Sequence, residues 1–334
     1  VVARAYDTAG NTITTSTSFF VDTKGPLVTN VQISPVTTNE SIATTLYFTL
    51  TEPSPGTTIT SAEYFFDGND PGKGQAYAIP ITGTAGPTNV TVSVSSSLLA
   101  ALSEGNHTIC VRGRDIVGNW GSYNSAFFTI DRSPLIVSID SPADGTIFAT
   151  DAVSISGHIF DSTSYITSIS YQLDANPWQS ISSDDGVLSD ELVEDFTITL
   201  SSLPDGTHTV IVKASDAASA TNIASSSISF TVDTNNPSIH LNPQVPSPVS
   251  STTVSLTGFA SDTTTSIASV TYQLDGSDWY SAGASDGLFD SRYENFSIYL
   301  AGLSEGTHTV VARAYDTAGN TITTSTSFFV DTKG

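Results

Sequence analysis

Apolar and polar residues alternate in short runs along almost the whole chain. Val153-Ser154-Ile155-Ser156-Gly157-His158-Ile159 and Val254-Ser255-Leu256-Thr257-Gly258-Phe259 place every second residue on one face, which is the period of a half-buried strand. The same period returns at residues 196–200 and 296–300. Tyr272-Gln273-Leu274-Asp275-Gly276-Ser277-Asp278-Trp279 reads as a strand, an Asp-Gly turn and a returning strand. Residues 171–178 are its counterpart, while Tyr64-Phe65-Phe66-Asp67-Gly68 starts the same way and then diverges. A helical period never persists beyond about two turns. Residues 97–102 come nearest and predict a single short turn.

The alternation is itself repeated. Leu303-Ser304-Glu305-Gly306-Thr307-His308-Thr309-Val310 returns as Leu203-Pro204-Asp205-Gly206-Thr207-His208-Thr209-Val210 and as Leu102-Ser103-Glu104-Gly105-Asn106-His107-Thr108-Ile109, so the histidines lie 101 and 100 residues apart. Each is followed by an acidic loop opening at Asp115, Asp216 or Asp316, and then by a Phe-containing strand closing on Asp131, Asp233 or Asp331. Pro26, Pro134 and Pro237 stand just beyond such closing aspartates and mark boundaries. Residues 1–25 reappear letter for letter as residues 310–334, including solvent-facing Ser and Thr that no shared fold would force. The expected organisation is therefore a 309-residue unit of three modules within a longer tandem chain. Its parts are the two terminal strands of a preceding copy (1–23) and modules at 24–132, 133–234 and 235–334. About seven short strands per module predict an all-β fold of tandem immunoglobulin-like β-sandwiches.

Composition narrows the function classes. Ser and Thr supply 98 of 334 residues, and 33 acidic residues against 10 basic ones leave a net charge of −23. Such a chain repels nucleic acid and anionic membrane surfaces; its natural counterparts are divalent cations, basic partners or a salty exterior, and the competing reading is simple solubility through net charge. Cys110 is the only cysteine, so no internal disulfide forms. No apolar run is long enough to span a membrane. No nucleophile–base arrangement, phosphate loop or redox motif is present, and no enzymatic activity is expected. Paired acids such as Asp184 with Asp185, or Asp290 with Glu294, have no sequence signal placing them across a glycosidase cleft.

With the run at Val254 as strand B and the run at His308 as strand F, the loops after B and F meet the incoming linker at one pole of each module. Carboxylates gather there: Asp22, Glu52 and Asp115 in the first module, Asp131, Asp161 and Asp216 in the second, Asp233, Asp262 and Asp316 in the third. Like charges at close range repel; a hard cation such as Ca²⁺, which takes six to eight oxygens, would reconcile them. The competing reading is that each Asp caps its own turn. The spacing does not match an EF-hand. His107, His208 and His308, one per module, predict a brace at the corner between strands rather than a metal site. Trp178, Trp279 and Tyr280 either cover a sandwich edge, fill its core or stack on sugars. Asn39, Asn89, Asn106 and Asn295 fit the glycosylation pattern at the frequency chance allows.

Several of these runs together resemble bacterial and archaeal Ig-like repeats of large surface-layer, adhesin and extracellular fibre proteins. They are Tyr-Gln-Leu-Asp-Gly-x-x-Trp, Ser285-Asp286-Gly287-Leu288-Phe289-Asp290, Arg313-Ala314-Tyr315-Asp316-Thr317-Ala318-Gly319-Asn320 and the closing Val330-Asp331-Thr332. The third module carries the resemblance best. The first lacks the Trp and the Ser-Asp-Gly-Leu-Phe segment, and Ser219-Ala220 departs from the loop pattern in the second. The resemblance implies calcium at linker Asp and Asp-x-x-Gly-Asn loops. It also implies an extracellular structural role, a filament or surface array whose partners are further copies of itself, end to end or side by side. The alternative is an adhesin stalk or a carbohydrate-binding module with glycans as partners.

Overall fold

Alternating β-branched residues form strands throughout the computed structural model, which describes residues 1–84, 86–188, 191–218, 222–244 and 247–333. The departure at Ser219-Ala220 lies outside the described residues. The chain divides into two compact units. The first is Val1–Leu135 with the loops Asp161–Thr167 and Ser215–Ile223; the second is the remainder.

The first unit begins with a hairpin, β1 (Val2–Tyr6) and β2 (Thr12–Ser16). Then follow β3 (Leu27–Ser34), β4 (Thr37–Thr38), β5 (Thr44–Thr51), β6 (Ile59–Phe66), β7 (Tyr77–Thr84), β8 (Thr88–Val94), the single turn α1 (Ser96–Leu99), β9 (Gly105–Asp115) and β10 (Asn124–Ile130). They make two sheets, ordered β3-β5-β8 and β4-β10-β9-β6-β7. Leu46, Phe48 and Leu50 of one sheet meet Ile59, Ile109, Val111, Phe128 and Ile130 of the other, all nearly inaccessible to water.

The second unit repeats this plan twice. Its first set is β11 (Ile136–Ser141), β12 (Ile147–Phe148), β13 (Val153–Phe160), β14 (Ile166–Leu173), β15 (Gln179–Ile181), β16 (Val193–Leu200), β17 (Gly206–Asp216) and β18 (Ile223–Val232), although the loop-proximal ends of β14 and β17 group with the first unit. These strands order as β11-β13-β16 and β12-β18-β17-β14-β15. Its second set is β19 (Ser238–Leu241), β20 (Thr253–Ser261), β21 (Ile267–Leu274), β22 (Tyr280–Ser281), β23 (Gly283–Ala284), β24 (Tyr293–Ala301), β25 (Gly306–Asp316) and β26 (Thr321–Val330), ordered β19-β20-β24-β23 and β22-β21-β25-β26. Strict burial alternation along β24 puts Phe296, Ile298 and Leu300 inside.

This is an all-β fold of tandem Ig-like sandwiches. The strand directions assigned from sequence hold: the run at Val254 lies in the sheet beside β24, and the run at His308 sits between β21 and β26. One feature exceeds the seven-strand expectation. After the first strand of each sandwich the chain passes a cis Ser–Pro bond (Ser34-Pro35, Ser141-Pro142, Ser247-Pro248). It then crosses to the other sheet and pairs in parallel with the last strand: Thr37–Thr38 with Thr129–Ile130, Ile147–Phe148 with Thr231–Val232, and Val249 with Val330. A two-residue strand carries no period, so alternation had nothing to register. The Asp-Gly turn forms as expected, with Asp275 and Gly276 both at positive φ (50° and 79°), as a two-residue hairpin of the primed type requires.

Candidate metal centres

The loops that leave the strands at this pole begin with an aspartate or glutamate for a local reason. Asp115 Oδ1 accepts the amides of Gly118 and Asn119 at 2.7 and 2.8 Å. Asp161 Oδ1 accepts those of Thr163 and Ser164, and Asp262 Oδ1 those of Thr264 and Thr265. Turn capping is therefore real. It is also self-sufficient, as the terminal hairpin shows. There the identical loop, with no module around it, still has Asp7 Oδ1 capping Ala9 and Asn11 and Oδ2 accepting the Asn11 amide group. Capping needs neither of the other two acids.

The nine predicted residues nonetheless converge as three triads: Asp22, Glu52 and Asp115; Asp131, Asp161 and Asp216; Asp233, Asp262 and Asp316. In each, one carboxylate oxygen per residue lies within 4.8 Å of the others. The first two triads are internal to the first unit and the third to the second. Burial is severe, with Asp131, Asp161 and Asp233 at 0 % exposure. While Oδ1 of Asp131 and of Asp161 serves backbone amides, the Oδ2 atoms of both are buried with no hydrogen-bond partner, as are Asp22 Oδ2 and Glu52 Oε2. Each such carboxylate spends one oxygen on its turn and leaves the other in the cluster. The third triad differs, because the Thr265 hydroxyl donates to Asp233 Oδ2.

Electrostatics follow from this packing. Burial pushes the Asp131 carboxyl up to about 6 against the pull of the nearby Ser164 hydroxyl and the Ser133 amide, and the neighbouring Asp161 and Asp216 add to the rise. Burial likewise raises Asp233, opposed by the Thr265 hydrogen bond and reinforced by Asp262 and Asp316. Asp22, less enclosed, is held below the usual carboxylate range by the Ser54 hydroxyl and the Lys24 amide. All nine donors are hard oxygen ligands, without a Cys or His among them; this set fits Ca²⁺ and not the nitrogen–sulfur preference of zinc.

A second device ties each module to the chain that leaves it. Glu104 accepts the Arg132 amide and the Ser133 hydroxyl, both at 3.0 Å. Asp205 accepts the Thr234 amide and hydroxyl and the Asn235 amide group, and Glu305 accepts from Thr332. The acid of the repeated Leu-x-(Glu/Asp)-Gly block thus grips the residue after each closing aspartate. Its recurrence was visible in the sequence, but its partner lay some 28 residues away. On the other side, the side-chain amides of Asn119 and Asn320 reach the Asp22 and Asp233 carbonyls at 3.1 and 2.8 Å.

The remaining candidates fall outside the triads. His107, His208 and His308 are buried braces. Nδ1 meets Asp67, Asp174 or Asp275 at 2.6–2.8 Å, and Nε2 meets the carbonyl of Ser103, Pro204 or Ser304. Trp178 and Trp279 carry Lys213 Nζ and the Arg313 guanidinium over their rings, at 3.9 and 4.0 Å from the centroids, and Tyr280 is half exposed. Glu294 is buried and holds the Asp290 and Ser291 amides. Asn89, Asn106 and Asn295 are exposed and Asn39 is half-buried. Cys110 is a buried thiol.

Residues 136–212 match the family model of a bacterial Ig domain. Among solved structures, the chain is similar to one from a 1.5-MDa bacterial ice-binding adhesin, with 19% identity over 93% of this chain and 100% of that one and a TM-score of 0.39. It is similar to a tetra-tandem repeat from the extending region of a large adhesion protein, with 22% identity over 99% and 81% and a TM-score of 0.37. It is also similar to the fibronectin(III)-like modules of Clostridium thermocellum CbhA, with 20% identity over 59% and 94% and a TM-score of 0.34. These are likenesses of fold. No curated protein matches the chain. Among the described residues no helix is long and apolar enough to cross a membrane.

Proposed function

We propose that this chain is a segment of an extracellular structural protein, a tandem-repeat fibre or surface array, whose modules bind Ca²⁺ at the three carboxylate triads. The observation that carries the metal reading is the pair of buried, unpartnered Asp131 and Asp161 Oδ2 atoms inside one cluster. Leaving a buried charged acceptor unsatisfied costs several kcal/mol, and a bound cation removes that cost. Because each triad joins an incoming linker carboxylate to two loops of one sandwich, the ion would stiffen that joint. The structural reading rests on the repeats and their latched exits, which suit load and spacing.

Calorimetry tests the metal. With calcium at about 100 to 1,000 times its dissociation constant, binding stabilises by about 3–4 kcal/mol, so verified chelation is expected to lower the melting temperature on the order of 10 °C for a module of this size. An unchanged melting curve after calcium removal sinks the proposal. Assembly is tested separately by sedimentation of the chain with and without calcium; a strict monomer at high concentration in both would remove side-by-side packing from the reading.

A further inference from the structure

The first sandwich departs from the other two where β6 turns toward β7. In the others the turn leads straight to Trp178 and Trp279, whose rings are covered by Lys213 and Arg313. The equivalent cation here, Arg112, five residues after its histidine as they are, does different work. It is 3 % exposed, bonds Glu63 Oε1 at 2.5 Å and forks onto both oxygens of Asp70 at 2.6 and 2.8 Å. Its guanidinium lies 5.3 and 5.5 Å from the Phe65 and Trp120 ring centroids. Glu63 in turn accepts the amides of Gly74 and Ala76 at 3.0 and 3.2 Å. The excursion over residues 67–76 is thus pinned at Asp70, Gly74 and Ala76 by a buried ion network.

The pinned loop borders an open groove of about 380 Å³, within the size range of small-molecule sites. Phe66, Pro71, Tyr77 and Leu102 supply its apolar wall, and Asn69 and Gln75 stand on its rim. Tyr77 is 45 % exposed, and its ring is backed by Tyr64 at 5.2 Å and Phe66 at 6.2 Å. The side-chain amides of Asn69 and Gln75 and the Tyr77 hydroxyl bond to no described residue.

We propose that this groove binds a neutral pyranose sugar. A pyranose presents a flat C–H face suited to an exposed aromatic ring and a ring of hydroxyls that both donate and accept, which is what amide side chains do. Charge decides between sugars. Asp67 stands at the groove with its oxygens on His107 and the Thr108 amide, and the nearby guanidinium is already spent on Glu63 and Asp70. The chain carries −23 overall, so among the described residues no free cation lines the groove to hold a sialic or uronic acid against the net charge. The groove contains none of the triad carboxylates, so this proposal and the calcium proposal fail separately.

The test is a glycan array and saturation-transfer NMR on the full chain. The probes are the methyl glycosides of glucose, galactose, mannose, fucose and N-acetylglucosamine, with the sialic acid glycoside alongside. At least one neutral glycoside is expected to bind saturably and the sialoside not to bind. Affinity is expected to fall about tenfold or more in Tyr77→Ala and in the rim variant Asn69→Ala/Gln75→Ala, to persist in Trp178→Ala/Trp279→Ala, and to persist after chelation. The rim variant alters exposed loop residues only, so it reports on binding even if Tyr77→Ala perturbs folding. Binding of no neutral glycoside, preference for the sialoside, or affinity unchanged in the rim variant overturns the proposal.

Discussion

At the scale of single residues the triads turn on the two oxygens of one carboxylate. Replacing Asp161 by Asn keeps an oxygen for the Thr163 and Ser164 amides and removes one buried negative charge. Two opposite results are therefore expected: the melting temperature rises in chelator, because repulsion is relieved, and falls below that of the parent protein in calcium, because a ligand is lost. Turn capping alone predicts no calcium-dependent reversal. The histidines make a separate prediction. Both nitrogens of His208 and His308 face acceptors, a carboxylate and a carbonyl, an arrangement that favours the doubly protonated ring. Burial is the largest single influence on His208 and opposes this, but the Asp174 and Pro204 hydrogen bonds and the Asp174 charge together outweigh it, and in His308 the Asp275 hydrogen bond leads; both pKa values rise above the ordinary 6.5. A raised folded-state value means the brace contributes fully below about pH 6.5 and is lost as pH climbs through the raised value. Denaturant midpoints are expected to fall across that interval, with a shallower fall in His208→Gln/His308→Gln.

Elements show where local rules were obeyed and where one copy broke them. The turn that is Asp275-Gly276 in one sandwich is Asp174-Ala175 in another, and Ala175 sits at φ 64°, a conformation that strains any residue with a Cβ. Ala175→Gly is expected to stabilise by roughly 1 kcal/mol in equilibrium unfolding. Gly258 works the opposite way: a Cβ there would collide with the His240 carbonyl and the Phe296 ring, so Gly258→Ala is expected to cost about 2–3 kcal/mol. The strands around these positions were legible because burial of one face writes a two-residue period into Val254–Phe259. The triads were legible too, since every acid but Asp22 abuts a strand end and the pattern recurs at module spacing. The unpartnered oxygens were not, because they depend on side-chain geometry. Nor was the Arg112–Asp70 fork, whose partners are 42 residues apart and occur in one module only.

For the molecule as a whole, the duplicated 25 residues provide a controlled comparison of one sequence in two settings. Both copies adopt the same register, Val2 opposite Ser16 and Val311 opposite Ser325. In the complete sandwich Val310, Phe328 and Val330 are buried, whereas their twins Val1, Phe19 and Val21 are 72 %, 71 % and 67 % exposed. Hairpin geometry is thus local, and core burial comes from the other strands. Deleting residues 1–20 is expected to leave thermal unfolding of the three sandwiches unchanged, since those residues contribute nothing to their cores.

The short parallel pairings acquire a meaning when the chain is placed under tension. In each sandwich the strand segment after the cis Ser–Pro bond lies beside the last strand and runs in the same direction. Force entering at one end of the module and leaving at the other pulls these two neighbours past each other along their length. Their hydrogen bonds are then loaded together in shear and must break at once, rather than one after another as in a peeled hairpin. Two or fewer residues per pairing set a low ceiling on that resistance. Each sandwich would therefore yield as a small mechanical fuse, at a force tunable by adding a single rung to the parallel ladder.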